Sequence, residues 1–541
     1  MANKYSKTMS RKTTPQTQPV VGKAMVANNA GGFGFKLDRW KQLDRFLILG
    51  AEGGTYYVGE HKLIRDNATN VLDCIKEDGV RAVDVIKSVS LSGRAPKNDP
   101  AIFALALACA DGDDLTKRAA YAAVAQVCRI GTHLFHFAQA VQDLRGWSRG
   151  LRNAVAKFYT ERDADQLALQ LVKYRQRDGW THKDVVRLSH PAMKAGVRND
   201  LIRWAVGKAD KVGRSPLVKA FLEAQALEPQ LGESTPAKDR ARAVKDLTGL
   251  ITDAGLPWEA IPTQALKVPD VWQALLPTVG LTALIRNLGR LASIGLTVSK
   301  LDAHTKIVMD RLTDVEALKK QRVHPLFILN ALKTYGQGHG DKGNLSWKPV
   351  AGVKDALEEA FYLAFDAVQP TGKNWLLGLD VSGSMTGGEI AGMSIKPYEA
   401  VATMAMVTAR VERSTEIYGF TDRFQDLGIT AKDTLEAALK KVQHSNFGRT
   451  DCSLPMQWAL KHKLKVDAFA VYTDNETYAG SEHPFQSLKK YRAAVNPGAR
   501  LIVVGMVTNN VSIADPSDAG MMDVVGFDSA APALMADFVR G

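Results

Sequence analysis

Trp375-Leu376-Leu377-Gly378-Leu379-Asp380-Val381-Ser382-Gly383-Ser384-Met385 is an apolar run that stops at an aspartate and breaks into serine and glycine. Its first five residues predict a short buried strand, and the polar turn predicts a loop at that strand's carboxyl end. Working outward, similar runs follow at Glu416-Ile417-Tyr418-Gly419-Phe420, Phe469-Ala470-Val471-Tyr472 and Leu501-Ile502-Val503-Val504-Gly505-Met506. Residues 398–413 and 454–462 between them carry helical spacing. Strands alternating with helices predict an open, doubly wound parallel sheet with helices on both faces. Ligands of such sheets sit beyond the carboxyl ends of the strands, which is where the D-x-S-x-S turn falls.

Alternate residues of that turn can aim Asp380, Ser382 and Ser384 at one point. One carboxylate and two hydroxyls are hard oxygen ligands, suited to Mg²⁺, with Mn²⁺ as second choice, and unsuited to zinc. Thr450, just before a helix, and Asp474, just after the strand at 469–472, supply two further oxygens. Five groups leave an octahedral ion one position for water or a partner's carboxylate. A plain serine turn with Asp380 capping the next helix is the competing reading. A phosphohydrolase would need a second carboxylate two residues after Asp380 as general acid, and Ser382 stands there. No catalytic residue is expected.

Upstream the pattern changes. From about Leu37 to Phe365 the chain reads as consecutive helices, with apolar spacing such as Leu43/Phe46/Leu47, Val80/Val83/Ile86 and Tyr121/Val124/Cys128. So many short helices bury their apolar faces most economically as stacked pairs. At roughly 40–47 residues per pair the stretch holds about seven HEAT-like repeats, without a sharp internal sequence repeat. Residues 1–36 read as a flexible basic arm ending in Ala30-Gly31-Gly32-Phe33-Gly34. The longest apolar run, residues 101–110, is about half the length needed to span a bilayer, so no membrane is expected. Four scattered cysteines among 541 residues suit a reducing compartment, and a cytoplasmic location is expected.

Charge separates the two regions. The chain carries +13, yet residues 371–541 hold 17 basic and 19 acidic groups, which leaves +15 on residues 1–370. Solubility alone can account for a modest excess of lysine. Concentration argues for more, since residues 145–198 hold 12 basic and 5 acidic groups. Within them Lys173 and Arg177 are expected four apart on one helix. After the Asp178-Gly179 break, Lys183 and Arg187 repeat the spacing on a second short helix that His190 ends. Paired cations on adjacent helices could straddle successive phosphates.

Several words here resemble those of the Ro autoantigen family, ring-shaped Y RNA-binding proteins with a TROVE module and a von Willebrand factor A domain. They include Arg45-Phe46-Leu47-Ile48-Leu49-Gly50, Gly146-Trp147-Ser148-Arg149-Gly150-Leu151-Arg152 and the run KYRQR…GWTHKD…RLSH. Leu281-Thr282-Ala283-Leu284-Ile285-Arg286-Asn287-Leu288-Gly289 and Thr450-Asp451-Cys452-Ser453-Leu454-Pro455 are others. The likeness runs from about Leu43 onward. It implies a TROVE module of HEAT-like helical repeats over 37–369, closed into a toroid. It implies also a Rossmann-like A domain over 370–541, with Asp380, Ser382, Ser384, Thr450 and Asp474 as its metal-ion-dependent adhesion site. Arg449 beside Thr450 is a departure that puts a cation near those ligands.

The resemblance further implies that Y or Y-like RNA binds the outer surface, with family contacts falling on Lys173, Arg177 and His190. Single-stranded 3′ ends of misfolded or damaged non-coding RNA would enter the central hole. A 3′-to-5′ exoribonuclease such as polynucleotide phosphorylase would be a partner of the monomeric ring. The rival class is a helical-repeat protein scaffold gripping a carboxylate through Mg²⁺, with no role for RNA. The concentration of positive charge on the repeats favours RNA.

Overall fold

A computed structural model describes residues 13–208, 215–341, 343–365, 368–443 and 448–541. The chain divides into two compact units. One gathers residues 13–70, 94–96 and 365–541; the other gathers 71–93 and 97–364.

In chain order the first elements are β1 (Met25–Ala27), β2 (Phe33–Lys36), α1 (Arg39–Leu49) and α2 (Glu60–Ser92), the last broken by extended backbone at Asp78. Then come α3 (Asp99–Asp111), α4 (Asp114–Val127), α5 (Gly131–Leu144), α6 (Arg149–Thr160) and α7 (Ala164–Lys173). A hairpin of β3 (Gln176–Arg177) and β4 (Trp180–Thr181) leads into α8 (His182–Ser189), α9 (Val197–Ala205), α10 (Pro216–Leu227) and α11 (Ala237–Ala254). The helical unit ends with α12 (Pro269–Leu275), α13 (Leu281–Ser293), α14 (Ala303–Leu312), α15 (Val315–Lys320), α16 (Pro325–Gln337) and α17 (Ala351–Leu363).

Short polar caps separate these helices. Asp113, Ser148, Asp163 and Asp302 each accept a backbone N–H of the first turn they precede. Each helix packs on neighbours one to three along: α3 on α4 and α5, α4 on α6, α7 on α9 and α10, α13 on α14 and α16, α14 on α17. Such nearest-neighbour packing is how repeat proteins build a core. Val83, Ile86, Val124 and Cys128 are buried as expected, whereas Val80 is exposed, because the break at Asp78 turns it away from the face its spacing predicts. Among the described residues no helix is long and apolar enough to cross a membrane.

The A-type sheet consists of β5 (Asn374–Asp380), β6 (Ser414–Phe420), β7 (Phe424–Asp426), β8 (Ala468–Thr473), β9 (Arg500–Gly505) and β11 (Met521–Val525). Its order is β11-β9-β8-β5-β6-β7, parallel except for the β7 edge. Helices α18 (Pro397–Val411), α19 (Leu435–Gln443), α20 (Leu454–His462), α21 (Pro484–Ala494) and α22 (Ala531–Arg540) connect or follow the strands. The four expected strands are all present.

The N-terminal segment departs from expectation. Residues 1–12 of the expected arm lie outside the described residues. Residues 13–36 are no loose arm: β1 and β2 form an antiparallel sheet with β10 (Val511–Ser512). The glycine cluster serves close packing rather than looseness, since a Cβ on Gly32 would lie 1.9 Å from the Thr477 carbonyl oxygen. Residues 37–70 likewise fold with the A-type sheet and not with the repeats. Arg45 of α1 explains why. Its fully buried guanidinium pairs with Asp523 of β11 at 2.7 Å and donates to Asn509 Oδ1 at 2.7 Å.

Candidate functional sites

Three loops meet at the carboxyl ends of β5 and β8. Asp380 ends β5; its Oδ1 accepts the Ser382 N–H at 3.0 Å and its Oδ2 accepts the Thr473 hydroxyl at 2.6 Å. Ser382 and Ser384 lie with hydroxyls 3.1 Å apart. Gly383 N–H donates to the Gly448 carbonyl, drawing in the loop that carries Thr450. The Thr450 carbonyl in turn accepts N–H groups of Tyr478 and Ala479, beyond Asp474. All five predicted oxygen donors are buried and sit on these stitched loops.

The electrostatics of the cluster are those of a site short of positive charge. Burial first, then the neighbouring Asp474 carboxylate, pushes the Asp380 carboxyl up to about 7. Burial raises Asp474 too, against the pull of the Ser384 hydroxyl. Two buried carboxylates among hydroxyls therefore fit a small hard cation. Arg449 does not supply that charge, because its guanidinium is half-turned to solvent and pairs with Asp422 at 3.3 Å. Among the described residues no group of three or more His, Cys, Asp or Glu converges to hold a metal; this set is two carboxylates plus hydroxyls.

Some residues around these loops escaped sequence reasoning. Glu476 accepts from Asn29 N and Asn29 Nδ2 at 2.6 and 2.7 Å, and burial with the Asp474 charge lifts it to about 7. Gln16 Nε2 donates to Asp451 Oδ1 at 2.8 Å, so the N-terminal segment braces two of the loops. Tyr57 lies beside Ser384 and Asp474; burial first, then the Asp474 charge, raises its phenol well above its usual value, against the hydrogen bond with Ser384. Glu476 was legible only as the acid two residues after Asp474. Nothing in the local pattern of Gln16 or Asn29 signalled a partner more than 400 residues away.

The basic surface is built differently from its prediction. Lys173 ends α7, and Arg177 lies on β3, so the two do not share a helix. Asp178 and Gly179 both have positive φ, 52° and 79°, which makes the tight turn of the β3–β4 hairpin. Lys173 is mostly covered and pairs with Glu259 at 3.4 Å. Arg177 is 60% exposed. Pairing of Gln176 with Thr181 ties that strand to the cap of α8, where Thr181 and Asp184 form a capping box. Lys183 and Arg187 are exposed on α8, one turn apart, while Val185 and Val186 face inward. His190 is exposed and takes left-handed backbone (φ 48°) at the helix end. Opposite the turn, His136 meets Asp99 at 2.6 Å and Asp178 at 3.1 Å. Trp180 donates to Gln139 at 2.8 Å and packs near Trp147.

Residues 374–539 match the family described as the Ro60 vWA domain, and residues 26–213 and 253–334 match the TROVE domain. A Deinococcus radiodurans protein called RNA-binding protein RO60 is 42% identical over 530 residues, covering 97% of each chain. The chain belongs to the Ro family. A Caenorhabditis elegans Ro-family protein of the same description is 35% identical, over 98% of this chain and 92% of its own. The crystal structure of the Deinococcus radiodurans RO (RSR) protein superposes with a TM-score of 0.68 at 40% identity, over 93% of this chain and all of that one. The Ro-family architecture, helix-rich TROVE region followed by an A domain, is thus the architecture of this chain.

Proposed function

We propose that this Ro-family chain is a non-catalytic RNA-binding protein acting in RNA quality control. The observation that carries the reading is the exposed basic surface of the β3–β4 hairpin and α8, where Arg177, Lys183 and Arg187 are open to solvent beside an exposed His190. Among the described residues the one acid that Arg177 pairs with is the adjacent Asp178, at 3.6 Å. A rigid hairpin-helix corner presenting cations suits the phosphates of a folded stem, whose base edges are out of reach. Y or Y-like RNA is the ligand assigned to it, with Lys173 contributing once Glu259 is displaced. Single-stranded 3′ ends of misfolded or damaged RNA bind elsewhere on the helical unit.

Asp380, Ser382, Ser384, Thr450 and Asp474 would hold Mg²⁺ in this reading, and the ion would supply an anchoring charge for a partner's carboxylate. A 3′-to-5′ exoribonuclease such as polynucleotide phosphorylase is the proposed protein partner, and the setting is the cytoplasm. The test is a paired titration of parent and Lys173→Ala/Arg177→Ala/His190→Ala variant against a Y-type RNA and a misfolded RNA with an unpaired 3′ tail. Loss of the Y-type RNA with a smaller loss for the tailed RNA supports two sites. Equal losses mean one shared site, and an unchanged Y-type affinity refutes the assignment.

A further inference from the structure

Within the helical unit, α13 and α16 enclose a cavity of about 300 Å³ that the surfaces above do not use. Arg286 and Arg290 line it from α13; Phe327, Asn330 and Tyr335 line it from α16, and Trp347 closes one side. The two arginines are four residues apart and so share one helix face. Between them, Gly289 lets the indole of Trp347 lie against the helix, since a Cβ there would come within 2.6 Å of the ring. The indole is fixed further: its Nε1 donates to the Tyr335 carbonyl at 2.9 Å and its ring stacks on Tyr335 at 6.1 Å.

Three features of this cavity are left unspent by the fold. Among the described residues neither arginine pairs with an acid, and the Arg286 guanidinium rests 5.4 Å from the Phe327 ring centre. Asp341, the acid that also lines the cavity, accepts instead from Gln337 Nε2 at 2.8 Å and Thr334 Oγ1 at 3.3 Å. The Asn330 Oδ1 is buried without a hydrogen-bond donor. A buried acceptor left unpaired is unfavourable, and because this one is closed to solvent it meets a ligand's N–H only when the Asn330 amide turns toward the cavity it lines. Fixed aromatic faces, two free guanidiniums and one buried acceptor are together the complement of a nucleotide: π-face, phosphates and amino edge.

We propose that this cavity takes one unpaired adenine nucleotide of a single-stranded RNA, its 6-amino group donating to Asn330 and its phosphates meeting Arg286 and Arg290. The proposal rests on the single-strand reading above and gives it a location. The probes are a fluorescein-labelled decaadenylate and the same decamer with purine riboside, which lacks the 6-amino group, at about 100 mM salt. The expected results are at least a tenfold weaker decaadenylate affinity for Arg286→Ala/Arg290→Ala, and a preference for decaadenylate over the purine decamer that Asn330→Leu abolishes. Unchanged affinity and preference in folded variants, with the parent binding, would overturn the cavity assignment alone. A parent that binds no decaadenylate would overturn the single-strand reading itself. If the variants misfold, the parent is photocrosslinked to an 8-azidoadenosine decamer. Adducts on α13, α16 or Trp347 support the site, and adducts confined elsewhere refute it.

Discussion

Single residues here carry measurable charge chemistry. The hydrogen bond to Asp99 raises the His136 imidazole above its usual value, desolvation opposes it, and the Asp99 and Asp178 charges add to it while Arg177 subtracts. A raised histidine contributes stability that is whole below about pH 6.5 and fades as pH climbs through the folded value. His136→Gln should therefore lower Tm more at pH 5.5 than at pH 8, and equal losses at both would refute the charged pair. At the strand ends, Asp380→Ala or Asp474→Ala should abolish the Mg²⁺-induced rise in Tm while leaving RNA affinity nearly unchanged. A collapse of RNA binding in a folded Asp380→Ala protein would show that the two functions are not separate. Asp380 and Asp474 of the proposed metal site were legible because each follows an apolar run. Tyr57 and Gln16 were not, since their meaning comes from long-range packing.

At the scale of elements, the four strands translated well and one helix did not. The parallel strands read directly because both their faces are buried, which makes them continuous apolar runs. Lys173 and Arg177 read as helical because their spacing fits 3.6, but Asp178-Gly179 demands positive φ and converts 176–181 into a hairpin. The small sheet of β1, β2 and β10 was invisible because its strands are two to four residues long and pair across the chain. The Thr181 cap joins hairpin to helix, so Thr181→Ala should cost about 1 kcal/mol in chemical unfolding. It should also weaken Y-type RNA more than a short single strand, because it loosens the corner that carries Arg177, Lys183 and Arg187. Equal weakening of both would separate the cap from RNA recognition.

For the molecule as a whole, the +15 carried by residues 1–370 sets the salt response. Single-strand affinity should fall on a log–log plot with a slope near 0.7 per phosphate contact, and a flat line between about 50 and 200 mM salt would remove charge from the account. Arg45→Ala should cost about 3–5 kcal/mol in urea unfolding, because it strands the buried Asp523 carboxylate without its partner. A loss below about 1 kcal/mol would mean water reaches that pair. Arg45 and Asp523 are 478 residues apart in the chain. A ribosome adding ~5–20 residues per second separates their emergence by roughly half a minute to a minute and a half. Through that interval α1 and the strands before it have no sheet to join. The earliest-made part of the A-domain unit must wait for its last-made strands before its buried guanidinium has a carboxylate to meet.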